Sequence, residues 1–420
     1  MMRLYIDPGT GSMLFAILIG LLGTAAYFLR NVFVKLRFLL SGGAKEKKTE
    51  EDRIPYAIFS DHKRYWTTFE PICEEFEKRG EDLVYMTASP DDPALQKQYA
   101  HVRCQFIGEG NRAFAKLNFL KADVLLSTTP GLDVYQWKRS KDVRWYAHVL
   151  HMPSDATLYR MFGLDYYDAV LCSGQYQIDQ IRALEKLRSL PPKDLQLVGL
   201  PYLDGLYRRS LELVGKAHPT TVLVAPSWGP SSILNKYGSR IIQALLSTGY
   251  HIVIRPHPQS FTSEKSMIEK LMQEFPEREQ LEWNRDNDNF DILSRSDIMI
   301  SDFSGVIFDY ALVFHGPILY ADTSFDVSPY DAWWLEEETW TFKILPKVGR
   351  QLKEEDLETI KALIDDTLTG TEYQEGIDQA REESWSHIGE SAALIADYLI
   401  RKEKELKQQA AGAAAEAEES

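Results

Sequence analysis

Ile298-Met299-Ile300-Ser301-Asp302-Phe303-Ser304-Gly305, running straight into Val306–Phe314 (VIFDYALVF), is the stretch on which the fold class turns. A short apolar run breaks at small hydroxyl residues and a glycine, and a longer apolar stretch of helical length follows. That order reads as strand, tight turn and helix, the repeating half of a βαβ unit. The same rhythm extends in both directions. Thr221–Ala225, Ile252–Arg255 and Ile318–Tyr320 read as further strands, with helices at Ile241–Ser247 and Ser266–Phe275. Upstream, Tyr56–Ser60, Asp82–Ala88, Asp123–Ser127, Trp145–Leu150, Ala169–Cys172 and Gln196–Gly199 form a second set of strands, interleaved with amphipathic Phe69–Lys78 and Ile178–Leu190. The segment Leu203–Pro219 connects the sets. The fold class is therefore α/β, with two Rossmann-like domains facing a cleft, expected over residues 55–210 and 211–400.

The flanks differ in character. Met13–Leu29 (MLFAILIGLLGTAAYFL) carries no charge, and Arg30, Lys35, Arg37, Lys45, Lys47 and Lys48 follow it, against Arg3 alone before it. A spanning helix needs roughly 17–25 apolar residues. The basic bias places the body of the chain on the cytoplasmic face, whether residues 1–40 span the membrane or lie in its interface. Residues 41–54 form a charged linker, and 401–420 an Ala/Glu-rich tail expected to be solvated. The net charge of −15 excludes a protein that coats nucleic acid. Cys73, Cys104 and Cys172 have no metal-ligand spacing and read as reduced, buried thiols.

Chemistry belongs in the loops after the strands. The turn Ser301, Asp302, Ser304, Gly305 opens a helix, whose unpaired N–H groups and dipole suit a phosphate; a serine or aspartate there also serves as a plain N-cap. Arg255-Pro256-His257-Pro258 ends an apolar strand and offers a cation and an imidazole in the same domain as that turn. His151, in the loop after Tyr146-Ala147-His148, stands where a base for an acceptor hydroxyl belongs, while His148 inside the strand is expected to be packed. Gly199-Leu200-Pro201-Tyr202-Leu203-Asp204 fits a turn into a helix. Pro226, Ser227 and Trp228 fit the wall of a nucleotide pocket. Asp286-Asn287-Asp288 spells DxD but sits in an Asn/Asp-rich stretch suited to a loop or helix cap, so neither a metal site nor a cofactor is expected. No HExxH, GxSxG or Walker sequence is present.

Taken in order, these motifs resemble the CDP-glycerol glycerophosphotransferase family, the teichoic-acid primases and polymerases, from about Tyr56 to Leu399. The shared signals are a first-domain His loop (His151), G-x-P-x-x-D (Gly199, Pro201, Asp204), A-P-S-W (Ala225–Trp228), R-x-H-P (Arg255, His257, Pro258) and S-D-F-S with its following aspartate (Ser301, Asp302, Ser304, Asp309). The resemblance implies a GT-B fold. It implies that the second domain holds a CDP-activated donor through Arg255, His257, Ser301, Asp302, Ser304 and the Gly305 amides, with Asp309 at the nucleotide pocket. His151 would act as base toward a lipid-linked polymer acceptor. The chain departs from the pattern at Gly305, where a second serine is usual, at His151-Met-Pro-Ser-Asp155, and at Tyr202, where arginine is common. A GT-B glycosyltransferase using a UDP- or CMP-sugar is the alternative, and a membrane-tethered scaffold without turnover a third.

Overall fold

The computed structural model describes residues 53–214, 218–286, 288–322 and 324–419. The expected anchor and nearly all of the linker lie outside the described residues. Among the described residues, no helix is long and apolar enough to cross a membrane.

The first sheet comprises β1 (Ile54–Ser60), β2 (Leu83–Thr87), β3 (Val102–Phe106), β4 (Ala122–Ser127), β5 (Val143–Val149), β6 (Ala169–Cys172) and β7 (Asp194–Leu197). All its pairings are parallel, in the order β3-β2-β1-β4-β5-β6-β7. The second comprises β8 (Thr221–Val224), β9 (His251–Ile254), β10 (Leu281–Trp283), β11 (Ile298–Ser301), β12 (Ile318–Ala321) and β13 (Arg350–Leu352), in the order β10-β9-β8-β11-β12-β13, again all parallel. Central strands such as β4 and β8 are buried at every position, because helices cover both faces of a parallel sheet. In each sheet the strand order reverses beside the first strand, at β1/β4 and at β8/β11, and ligands of such sheets bind outside the strand ends at that point.

Three strands not anticipated from the sequence, β3, β10 and β13, are all edge strands. Their burial is broken by polar residues such as Arg103, Gln105, Glu282 and Gln351, so they lack the unbroken apolar runs that gave the others away. Cys104 sits on one of them and is half-buried, whereas Cys73 and Cys172 are buried as expected.

The chain end differs from its expectation. The helix Ser391–Glu419 runs into the expected tail, whose residues 407–412 are exposed as expected, while upstream of it Ile395, Ala396, Tyr398 and Leu399 pack with Tyr56, Ile58, Phe69 and Phe76 of the first domain. The first domain is thus assembled from two separate stretches of chain, and the second ends before the expected 400. Asp204 secures the crossing. Its carboxylate accepts from Trp385 Nε1 (2.9 Å), Gly389 N (2.9 Å), Ser391 N (3.1 Å) and the Ser391 hydroxyl. Gly199 meets the same segment at φ +86°, and a Cβ there would lie 2.3 Å from the Ser386 carbonyl oxygen, so only glycine fits.

Candidate active site in the cleft

The second domain contributes the turn after β11, the loop after β8 and the loop after β9. Ser301 and Asp302, expected as diphosphate ligands, instead face inward and splice two of these loops. Ser301 Oγ donates to the Ala225 carbonyl at 2.5 Å. The Asp302 carboxylate accepts from the N–H groups of Ser227 (2.9 Å), Ile233 (2.9 Å) and Phe303 (2.8 Å). What remains for a ligand is the Ser304 hydroxyl, the backbone around Gly305 and the amino end of the helix Val306–Phe314. Pro226 is buried, and the buried Ser227 hydroxyl lies against the Asp302 carboxylate.

His257 follows β9. Its Nδ1 accepts the Gln259 N–H at 3.1 Å, so the neutral ring carries its proton on Nε2. Burial, then the charges of Arg64 and Arg255, push its pKa down to about 4. Trp228, 40% exposed, lies with its ring centroid 6.4 Å from that of His257. Arg255 and Asp309 do not join this group. The Arg255 guanidinium donates to Asn284, Asn289 and the Asp286 carbonyl (2.7 Å). Asp309 accepts from the Tyr202 hydroxyl (3.1 Å) and from Asn289 (3.4 Å), and burial raises its pKa to about 7. The two residues share Asn289 and form a buried brace behind the loop that carries His257. Asp288 of the DxD stretch is spent on a helix cap, accepting from Phe290 N at 2.9 Å, and on an ion pair with Arg209 at 2.7 Å.

The first domain supplies His151, beyond the end of β5. Its Nδ1 lies 2.8 Å from Thr128 Oγ1 and 3.5 Å from the Tyr159 hydroxyl, and the Tyr65 ring meets it edge-on at 4.8 Å. Burial, with the charge of Arg64 second, lowers its pKa to about 4. His148 is packed as expected, fully buried against the rings of Tyr159 (5.3 Å) and Tyr167 (4.9 Å). Asp61, Arg64 and Thr128 went unnoticed in the sequence. The available signal was their place: the ends of β1 and β4 flank the order reversal, where ligands bind.

The domains meet at the His151 loop. Met152 lies against Gly305, where an added Cβ would come 3.1 Å from its sulfur. Asp155 reaches across to cap the helix Trp340–Val348, accepting from Trp340 N (2.6 Å), Thr341 N (2.8 Å) and Thr341 Oγ1 (2.6 Å). Nearby, Arg188 bridges Asp165 (2.8 Å) and the buried Asp331. The motif His151-Met-Pro-Ser-Asp155 thus holds one imidazole, one contact to the phosphate-type turn and one interdomain cap.

Residues 184–392 match the model of the CDP-glycerol:poly(glycerophosphate) glycerophosphotransferases. The chain belongs to that family. The match takes in His257, the Ser301–Gly305 turn and Asp309, while His151 lies upstream of it. The structure is similar to that of the wall teichoic acid polymerase TagF, with a TM-score of 0.59 and 17% identity over 92% of this chain and 99% of that one. A second TagF structure, from a crystal soaked with CDPG, gives a TM-score of 0.57 at 16% identity, over 91% and 98% of the two chains. The UDP-GlcNAc 2-epimerase of Neisseria meningitidis is similar at a TM-score of 0.54 and 12% identity, over 83% of this chain and all of that one. At such identities these likenesses establish the fold, which is GT-B-like. No curated protein matches the chain significantly. This glycerophosphotransferase-like enzyme therefore carries its two candidate imidazoles on different domains, with the His151 loop touching the helix-opening turn at Gly305.

Proposed function

We propose that this enzyme transfers glycerol phosphate, or another alditol phosphate, from a CDP-activated donor to a hydroxyl of a surface polymer or lipid-linked acceptor, with release of CMP. The observation that carries the proposal is the Ser304 turn at the opening of a helix, met at Gly305 by the loop that carries the neutral His151, with the neutral His257 at a strand end of the same domain. In this reading Ser304, the Gly305 amides and His257 Nε2–H bind the donor diphosphate, and Trp228 and Pro226 wall the nucleotide. His151, with Nδ1–H donating to Thr128, presents a free Nε2 to the acceptor hydroxyl. The hydroxyl oxygen attacks the glycerol-bearing phosphorus and its proton passes to His151. The phosphorus–oxygen bond to the CMP phosphate breaks, and CMP leaves carrying that electron pair. Such chemistry rests on positioning and electrostatics, which a preformed cleft of neutral donors supplies. We further propose that residues 1–40 hold the enzyme at the cytoplasmic face of the membrane, on the charge and length of that segment.

The test is nucleotide release by the full chain with CDP-glycerol, CDP-ribitol and a panel of UDP-sugars. CMP release from a CDP-alditol, lost in His151→Ala and His257→Ala, is the expected result. UDP release from a sugar, with no affinity for cytidine nucleotides, would replace the proposal with a glycosyltransferase.

A further inference from the structure

We infer that Arg64 is a phosphate contact supplied by the first domain, holding the phosphoryl group in transfer between His151 and His257. The inference rests on the transfer reaction proposed above. Arg64 lies in the loop after β1, one of the two strands at which the first sheet reverses its order. Its neighbour Tyr65 places its ring on His151, which brings this loop to the acceptor side of the cleft.

The surroundings of Arg64 are those of a ligand group waiting for an anion. Its Nε is buried without a hydrogen-bond partner, and Asp61 is the carboxyl on which its charge acts. The adjacent Lys63 is paired with Asp91, the Arg64 N–H donates to His62 Nδ1 at 3.1 Å, and the guanidinium lies 5.6 Å over the Tyr65 ring, so the loop is fixed and the Arg64 Nε–H is left over. Nearby, the buried Asp61 carboxyl and Thr129 hydroxyl face each other. Burial raises the Asp61 pKa, which weakens it as a competing anion. A buried guanidinium donor with no partner in the chain marks a place whose partner comes from outside it.

Charge accounting points the same way. A phosphoryl group in transit needs a fixed cation. The two guanidiniums whose charge reaches His257 are Arg64 and Arg255. Arg255 has committed its donors to Asn284, Asn289 and the Asp286 carbonyl. The Tyr65 ring against His151 and Met152 of the His151 loop against Gly305 bring the Arg64 loop toward the phosphate-type turn, and the Arg64 charge acts on both histidines.

The experiment compares CDP with CMP as ligands of the full chain by calorimetry, because only CDP carries the second phosphoryl position. In Arg64→Gln, CDP affinity should fall about tenfold while CMP affinity holds within about twofold, and Arg64→Lys should keep part of the difference. Turnover per KM should fall about 100-fold in Arg64→Gln. Equal weakening of CDP and CMP, or unchanged CDP affinity, overturns the assignment. Should Arg64→Gln fail to fold, phenylglyoxal labelling of the wild-type chain, read by mass spectrometry, decides the matter. Protection of Arg64 by CDP but not by CMP supports the contact, and equal labelling with and without CDP refutes it. A wild-type chain that binds UDP but not CDP sinks the donor proposal, and the UDP/UMP pair then tests Arg64 unchanged. One that binds neither diphosphate overturns both.

Discussion

Replacing Asp309 by asparagine should reverse a pH liability built into the second domain. Asp309 is buried in the helix Val306–Phe314, with the Tyr202 hydroxyl, Asn289 and Arg255 as its polar surroundings. Burial raises its pKa from 3.8 to about 7. The native protein therefore keeps the proton up to about pH 7, whereas the unfolded chain releases it near pH 3.8. Between those values the native state binds more protons, so the stability from this group is fully present below the lower value. It is lost as pH rises through the upper one. The whole shift corresponds to about 4 kcal/mol at 1.36 kcal/mol per unit, of which about 2 kcal/mol falls between pH 5 and 7. Asparagine cannot ionise and still accepts from Tyr202 and Asn289. Urea unfolding of wild type and Asp309→Asn at half-unit steps from pH 5 to 8 reads the effect directly. The variant should gain about 3 kcal/mol on wild type across that range, flattening above pH 7. Parallel profiles, or a wild type that gains on the variant as pH rises, would show that Asp309 is ionised in the native state and that the argument is wrong.

Three further outcomes follow from the same geometry. Asp302→Ala removes the acceptor of three backbone N–H groups; it should cost about 3 kcal/mol in urea unfolding and abolish nucleotide binding, because the β8 and β11 loops come apart. Asp155→Ala unties the first domain from the helix Trp340–Val348 and should cost about 2 kcal/mol, with kcat reduced more than CDP affinity, as calorimetry and steady-state rates would show. With both cleft histidines depressed to about 4, turnover should be level from pH 8 to 5 and fall only as pH approaches 4. A rate profile breaking near 6.5 would place neither histidine in the role given to it.

Much of this protein is legible in its sequence, for a physical reason. Central strands of a parallel sheet are buried on both faces, so β1, β4, β8 and β11 announce themselves as apolar runs. The turn into Val306–Phe314 and the strand-end position of His257 are local facts, set by a few neighbouring residues, and the motifs that carry the family resemblance are local in the same way. What the tertiary structure alone decided is which polar atoms find protein partners. Asp302 and Ser304 lie two residues apart in one motif, yet the first is consumed by the Ser227 and Ile233 amides from a loop some seventy residues away in sequence. Arg255 is taken up by Asn284 and Asn289 and withdrawn from the cleft, while Arg64, in no recognisable motif, is left with an unpartnered Nε within electrostatic reach of both histidines. The last helix follows the same logic. Its first turns, Ile395 to Leu399, complete a surface formed by chain more than three hundred residues earlier, while residues 407–412 further on stay exposed. Helical propensity is local, whereas burial and hydrogen-bond satisfaction depend on partners that only the folded chain brings near.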